Sequence, residues 1–268
     1  MKDAMEATID RYCLLVENGN IEEAIRLVEE FDEANPGRRF VSLDFEIHDT
    51  NALNVAADKG AVGLVNFLVE RAALTAPLDT VWLDGALFFA KDAATVDVLV
   101  AAGGNVNALS YCGRMPLHAA ARMDRVDVIE ALVRRGADIE AVNFLGRTAV
   151  MTAILTGRPN ALRTLIKLGA DIEKTDAHGC NVLFHALSAV ILGNDEFLMK
   201  DCLSVIIERG IDPRIPFPGG ETPVSFATEF GAPSSVTALL EKHCFELDQR
   251  ERVGGAQKAS CSRDPCAL

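Results

Sequence analysis

At 268 residues the chain suits one or two globular domains, or a single elongated repeat array with no fixed size limit. It is 49% apolar but only 6% aromatic, so its interior must be built from Ala, Val, Leu and Ile, a composition that favours small, closely stacked helices over a β-sandwich. With 26 basic against 39 acidic residues, a net charge of −13, the surface repels phosphate backbones and anionic membranes, so neither nucleic acid nor membrane is an expected partner. The same charge favours a soluble monomer and draws basic partners at long range.

Taken in chain order, the first expected element is a degenerate helix pair over about 3–40. It is built on Tyr12-Cys13-Leu14-Leu15-Val16 and, after Gly19, on Ile21 to Val28. Glu17, Glu22, Glu23, Arg26, Glu29 and Glu30 supply the polar outer face that the end of a stack needs, and Asn20 with Glu23 has the spacing of a helix-start capping box. Two looser units follow, anchored by Leu53 in NALNVAADKG and by Leu87 in GALFFAKDA. Leu87 stands only 30 residues (117 − 87) before the next anchor, Leu117, so its unit is shortened.

The clearest unit begins at Gly113 as GRMPLHAAARMDRVDVIEALVRRGADIEAVN, and the next begins 33 residues later (146 − 113) as GRTAVMTAILTGRPNALRTLIKLGADIEKTD. Pro116 suits the first helical turn, where its missing N–H is not needed, and Leu117, Ala120 and Ala121 then form a small-residue face for close stacking. After the turn at Met123-Asp124, the residues Val128, Ile129, Leu132 and Val133 have the spacing of a second helix. Arg134 and Arg135 suit its last turn, and Gly136 its left-handed end.

A further unit starts at Gly179, and another at Gly220 after an offset of 41, which requires an insertion. Ser188 to Leu198 is expected to lengthen the first helix, turn at Gly193-Asn194 and return Phe197 and Leu198 to the core, so that deleting Gly193 to Glu196 should be tolerated. Past Leu247 the periodicity stops, so the array is placed at 1–246 and 247–268 is expected to be a disordered polar tail.

A period near 33 with Met115-Pro116-Leu117-His118-Ala119-Ala120 and two Gly-Ala-Asp-Ile-Glu runs, at Gly136 and Gly169, resembles the ankyrin-repeat family over roughly residues 3 to 246. Leu87-Phe88-Phe89 and Val224-Ser225-Phe226 depart from the pattern by lacking the histidine, and Ala72 stands where a helix-ending glycine is expected. The resemblance implies an all-α solenoid of about seven helix-turn-helix units with short hairpin loops. It also implies that His118 makes a structural hydrogen bond, and that a partner protein is held on the concave side formed by hairpin tips and first helices.

No catalytic, cofactor or metal set assembles from the sequence. His185 reads as helix packing, and His48 and His178 lie four units apart. His243, Cys244, Cys261 and Cys266 have no close Cys-x-x-Cys pair. Cys112 and Cys180 fall on hairpin tips without an activating neighbour. Gly103-Gly104 and Gly219-Gly220 lack the context of a phosphate loop. Seven cysteines without a disulfide spacing, no apolar leader and no 18-residue apolar run point to a reducing compartment, the cytoplasm or nucleus. The chain therefore reads as a non-enzymatic adaptor, scaffold or inhibitor. A structural spacer, an assembly chaperone and a host-directed effector are the alternatives.

Offsets from the anchors place Trp82, Tyr111, Phe144 and Phe217 on hairpin tips, with Arg114 and Arg147 three residues after Tyr111 and Phe144, and Arg122 and Met123 at the end of a first helix. Aromatics and Arg are enriched where interfaces concentrate their energy. The expected contact is a pair of arginines among rings, suited to carboxylates of the partner. For Tyr111 and Phe144 the competing reading is ring stacking between hairpins, for Trp82 core packing, and for each Arg an ion pair with an acid of the neighbouring unit such as Asp138 or Asp171.

Overall fold

The computed structural model describes residues 2–35, 40, 44–45, 50–73 and 80–261, with side chains described within 5–35, 40, 51–73 and 80–252. Among them are fourteen helices that pair in sequence order into seven units. The inner helices are α1 (Lys2–Glu17), α3 (Ala52–Lys59), α5 (Thr80–Phe89), α7 (Pro116–Arg122), α9 (Ala149–Leu155), α11 (Val182–Ile191) and α13 (Pro223–Glu229). The outer ones are α2 (Ile21–Ala34), α4 (Val62–Ala73), α6 (Ala93–Ala101), α8 (Val126–Arg134), α10 (Pro159–Lys167), α12 (Glu196–Glu208) and α14 (Ser234–Cys261). A two-residue antiparallel pair, β1 (Asp44–Phe45) with β2 (Thr50–Asn51), is the β-structure of the described residues.

The core runs unbroken along the stack as small and branched residues, for example Leu117, Ala120 and Ala121 on α7 and Val128, Ile129 and Leu132 on α8. Alanines on the inner helices let neighbouring units approach closely, which is how a chain so poor in aromatics fills its interior. Among the described residues, four inner helices open on a side-chain cap. Asn51, Thr148, Asn181 and Thr222 each accept the N–H three residues on.

Polar side chains then tie unit to unit. Arg125, at the head of α8, donates to the carbonyls of Phe89 and Ala90 at the end of α5 and to Asp58 on α3, so one guanidinium joins three units. The equivalent tie is made by Arg158 to the Arg122 carbonyl, and by Asn194 to the Leu155 carbonyl. Each satisfies carbonyls that a helix end leaves without partners. Asp124, the one non-glycine residue with positive φ among those described, accepts the Ala161 N–H and the Asn160 amide, capping α10 of the next unit.

Four expectations change. Asn20 makes no side-chain cap bond, so the capping box of the first pair is not formed. That pair is tied forward instead through the Tyr12 hydroxyl to the Ala52 carbonyl and through buried Asp32 to Arg71 and the Phe40 N–H. The unit around Leu87 is not shortened: α5 and α6 end at Phe89 and Ala101, 33 residues before the ends of α7 and α8 (122 − 89 and 134 − 101), so Leu87 is not the counterpart of Leu117. Because α5 reaches back to Thr80, residues that would make a tip are helical, and Trp82 lies half-buried against the core.

The insertion is spread over α11 and α12, which have 10 and 13 residues against 7 and 9 in α7 and α8. Phe197 stays exposed, because Asp195 caps α12 through the N–H groups of Phe197 and Leu198 and sets their direction. Deleting 193–196 would therefore remove the cap and the Asn194 tie rather than a dispensable loop. Finally, α14 runs on to Cys261 through residues expected to start the tail. Arg214 holds that extension by ion pairs to Asp248 at 2.9 Å and Glu251 at 2.7 Å. Residues 262–268 lie outside the described ones.

Candidate protein-binding surface

The hairpins between units share one bonding plan. Ser110, Asn143 and Asp176 each donate their N–H to a carbonyl four residues on, in Arg114, Arg147 and Cys180, at 2.9–3.0 Å. In the same turns the N–H groups of Gly113, Gly146 and Gly179 donate back to the carbonyls of Ser110, Asn143 and Asp176. The first side chain reinforces its own turn. The Asn143 Oδ1 accepts from Leu145 and Arg147, and the Asp176 Oδ1 accepts from His178 and Cys180. Each tip is thus a rigid backbone loop whose next residue, Tyr111 or Phe144, points away from the turn.

Tyr111 is 104% exposed relative to a free residue, so it stacks on nothing. The Phe144 ring lies over Gly113 of the preceding tip, where a Cβ would overlap it, yet remains 73% exposed. Gly113 is therefore the docking point of one tip on the next. Leu109, Val142 and Leu145 add exposed apolar area beside the rings. Sequence reasoning passed over these three, although Leu109 and Val142 recur at the same 33-residue offset (142 − 109) as the rings.

The two arginines differ. Arg114 is exposed and makes no ion pair among the described residues. Arg147 stands with its Nε 3.8 Å from Oδ2 of Asp176, a carboxylate only 1% exposed. The competing reading, an acid of the neighbouring unit, therefore holds for Arg147, with Asp176 as the acid in place of Asp138 or Asp171. Arg122 is exposed at the end of α7 and Met123 follows as its half-exposed C-cap, about 10 Å along a seven-residue helix from the tips. Tyr111, Arg114, Phe144 and Arg147 are thus brought together, Arg122 and Met123 extend the surface along α7, and Trp82 belongs elsewhere.

Beneath the tips lies a buried polar chain. Met115 donates its N–H to Nδ1 of His118 at 3.3 Å, which leaves the proton on Nε2 to bond the Arg147 carbonyl at 2.9 Å. Burial, with the charge of Arg114, lowers the His118 pKa against the opposing carbonyl bond. The structural role implied for His118 is therefore seen as a bond between units. His185, 2% exposed, sits with Nε2 3.2 Å from the Asp176 carboxylate but without hydrogen-bond alignment. Burial pushes its pKa down to about 4, so it is neutral at pH 7. Burial raises the Asp176 carboxyl, but the N–H groups of Cys180 and His178, with His185 and Arg147 nearby, together hold it below its ordinary value. His118 thus joins units, while His185 stands neutral against the Asp176 carboxylate.

The remaining candidates stay apart from this surface. Phe217 is buried in a cluster with Phe184 and Phe226, at centroid distances of 5.1 and 5.4 Å. Burial raises the thiols of Cys180 and Cys244, and Cys112 is exposed. His178 is exposed and His243 is buried, while His48, Cys266 and the Cys261 side chain lie outside the described residues. Among the described residues no group of three or more His, Cys, Asp or Glu is placed to hold a metal, and no helix is long and apolar enough to cross a membrane.

Residues 85–176 match the family model described as ankyrin repeats, in three copies. Among solved structures, the ankyrin repeat domain of Bcl-3, described as a unique member of the IkappaB protein family, is similar with a TM-score of 0.58. The alignment covers 86% of this chain and 97% of that one at 21% identity. No curated protein matches. The hairpin plan continues beyond the matched segment to the turn of Phe217 and Glu221, and the chain carries ankyrin repeats over 85–176 within a fold that is the ankyrin solenoid. Ankyrin repeats are protein-interaction modules. A fold shared with 498 matching solved chains selects no particular partner, so the reading of function rests on the surface itself.

Proposed function

We propose that this chain is a non-enzymatic adaptor, scaffold or inhibitor that holds another protein on the tips and inner helices of the units beginning at Gly113 and Gly146. The observation that carries the reading is the pair of rings, Tyr111 and Phe144, held out to solvent from adjacent tips whose backbones are fixed by internal hydrogen bonds. Rings held rigidly lose little entropy on binding and offer large desolvated area, which is what an interface anchor needs. Isolated apolar side chains are common on surfaces; two rings and two aliphatic side chains at matched positions of neighbouring tips, with Leu145 beside them, form a patch.

Binding rather than catalysis suits His118, whose ring nitrogens serve bonds within its turn and to the next unit. A reducing compartment, cytoplasm or nucleus, suits the five described cysteines, which are all free. The chain acts as a monomer in this reading, with the solenoid as a rigid support.

The test is affinity capture with mass spectrometry, followed by amide hydrogen exchange on the complex of the full chain with the captured protein. Slowed exchange at 109–115, 142–148 and along α7 is expected. Protection confined to the outer helices, or none along the tips, would favour a structural spacer over an interaction surface here.

A further inference from the structure

We infer that the partner segment seated on this surface is acidic and apolar, with carboxylates beside its anchoring side chains. The inference rests on the proposed binding surface and names its chemistry. Roughly one residue in seven of the chain is acidic, 39 of 268. Yet the three neighbouring stretches that form tips and inner helices, 109–123, 142–156 and 175–192, contain a single acid, Asp176. That carboxylate is 1% exposed and engaged with Arg147 and two backbone N–H groups. No carboxylate on this strip therefore faces solvent.

The positive charges on the same strip are Arg114, Arg122 and Arg147. Arg147 is balanced by Asp176, and the two histidines are buried, His185 neutral at pH 7 and His118 with a lowered pKa. What remains is a face with two exposed guanidinium groups, Arg114 and Arg122, flanking Tyr111, Phe144 and Met123. The hairpin acids Asp138, Glu140, Asp171 and Glu173 lie in the arms leaving the outer helices. The absence of acids is local as well: the inner helices outside the strip carry Asp58, Asp84 and Glu229.

The net charge of −13 does not reverse this argument. Screening at physiological salt reduces charges beyond about 8 Å, so a seated segment feels the groups it touches. A carboxylate meets guanidinium forks and no like charge there, while a lysine or arginine meets like charge and no exposed acid. Basic molecules drawn by the overall charge would collect on the outer helices. The occupant we commit to is a segment of another protein; a second copy of this chain is an outcome of the test.

The test pans a library of random short peptides on the full chain and measures the selected peptides against wild type, Arg114→Glu/Arg122→Glu and Tyr111→Ala/Phe144→Ala. Both pairs are surface changes, and circular dichroism with urea unfolding checks that each variant folds. Selected peptides should be rich in Asp or Glu next to Phe, Leu or Tyr. Charge reversal should weaken them at least tenfold, with Arg114→Lys/Arg122→Lys recovering part of the loss.

Selection of Lys- or Arg-rich peptides, no enrichment over the library, or affinity unchanged by charge reversal would overturn the inference. If the ring variant abolishes binding while charge reversal does not, the surface stands and its preference for acids falls. If neither pair matters, both readings fall. Sedimentation of the free chain completes the test: a concentration-dependent dimer abolished by Tyr111→Ala would make the occupant a second copy and overturn the proposal.

Discussion

Phe144 and Phe217 both fall near the tip of a hairpin, and the solenoid treats them in opposite ways. The first is 73% exposed over the preceding tip and the second is 5% exposed inside an aromatic cluster. Hydrogen bonding explains the difference. Phe217 donates its N–H to the Glu221 carbonyl, as Asn143 does to Arg147, so Phe217 occupies the turn-closing position one residue ahead of the tip. Pro218 is the residue in register with Phe144, and it lies against Gly179 as Phe144 lies over Gly113. A single step along the hairpin therefore decides between a ring that supports the fold and a ring available to a partner.

The largest expected effect that sharpens this contrast is Phe217→Ala, which should cost about 3–5 kcal/mol in urea unfolding. It should match core truncations such as Leu132→Ala or Leu165→Ala, at about 2–5 kcal/mol, since both leucines are fully buried. Because solenoid units unfold as coupled neighbours, the loss should be greatest at α11 to α14 when exchange is followed by mass spectrometry. A cost for Phe217→Ala below about 1 kcal/mol would place it among the tips after all.

Acid should act next, through His185. Its folded pKa of about 4 lies below the ordinary 6.5, so between these values the unfolded chain binds the proton that the folded chain refuses. Stability should be complete above pH 6.5 and fall as pH drops toward 4, by roughly 3 kcal/mol at most. His185→Gln should flatten that part of the pH dependence in denaturant titrations. An unchanged profile would show that His185 is accessible to protons in the fold.

A smaller effect separates two glycines. Both Gly136 and Gly146 have positive φ, but a Cβ at Gly136 meets open space whereas one at Gly146 overlaps the Ala177 backbone. Gly136→Ala should cost about 1 kcal/mol of backbone strain, and Gly146→Ala distinctly more, because the next hairpin must shift. Equal losses in thermal unfolding would contradict the tip-on-tip contact. The smallest effect is that of Tyr111→Ala, expected within about 0.5 kcal/mol of wild type because the ring touches nothing in the fold.

Much of this was legible in the sequence, and the failures share a physical cause. The period near 33, Pro116, the alanine faces and Gly136 specify the middle units, since each is a local requirement of a helix start, a close contact or a helix stop. Counting offsets from Leu anchors failed where the chosen anchor was out of register or the helices departed from that length. It misread Trp82, where α5 starts early, and Phe197, where the extra residues lengthen the second helix as well as the first. It also took Phe217 for a tip, although Phe217 stands three residues before Gly220 where Tyr111 and Phe144 stand two before Gly113 and Gly146.

The roles of Arg114 and Arg147 could not be told apart by spacing. Only the position of Asp176, buried beneath Arg147 and unmatched beneath Arg114, distinguishes them. The ending of the array was missed because Arg214 and the acids it holds are more than thirty residues apart in sequence.

The central claim is that the exposed rings of adjacent tips carry the partner contact, and titration calorimetry of the captured partner against wild type and Tyr111→Ala/Phe144→Ala tests it most directly. Affinity should fall at least tenfold, about 1.4 kcal/mol, with helicity and urea midpoint nearly unchanged. Binding that stays within about twofold of wild type, under about 0.5 kcal/mol, would contradict the account and move the function away from these tips.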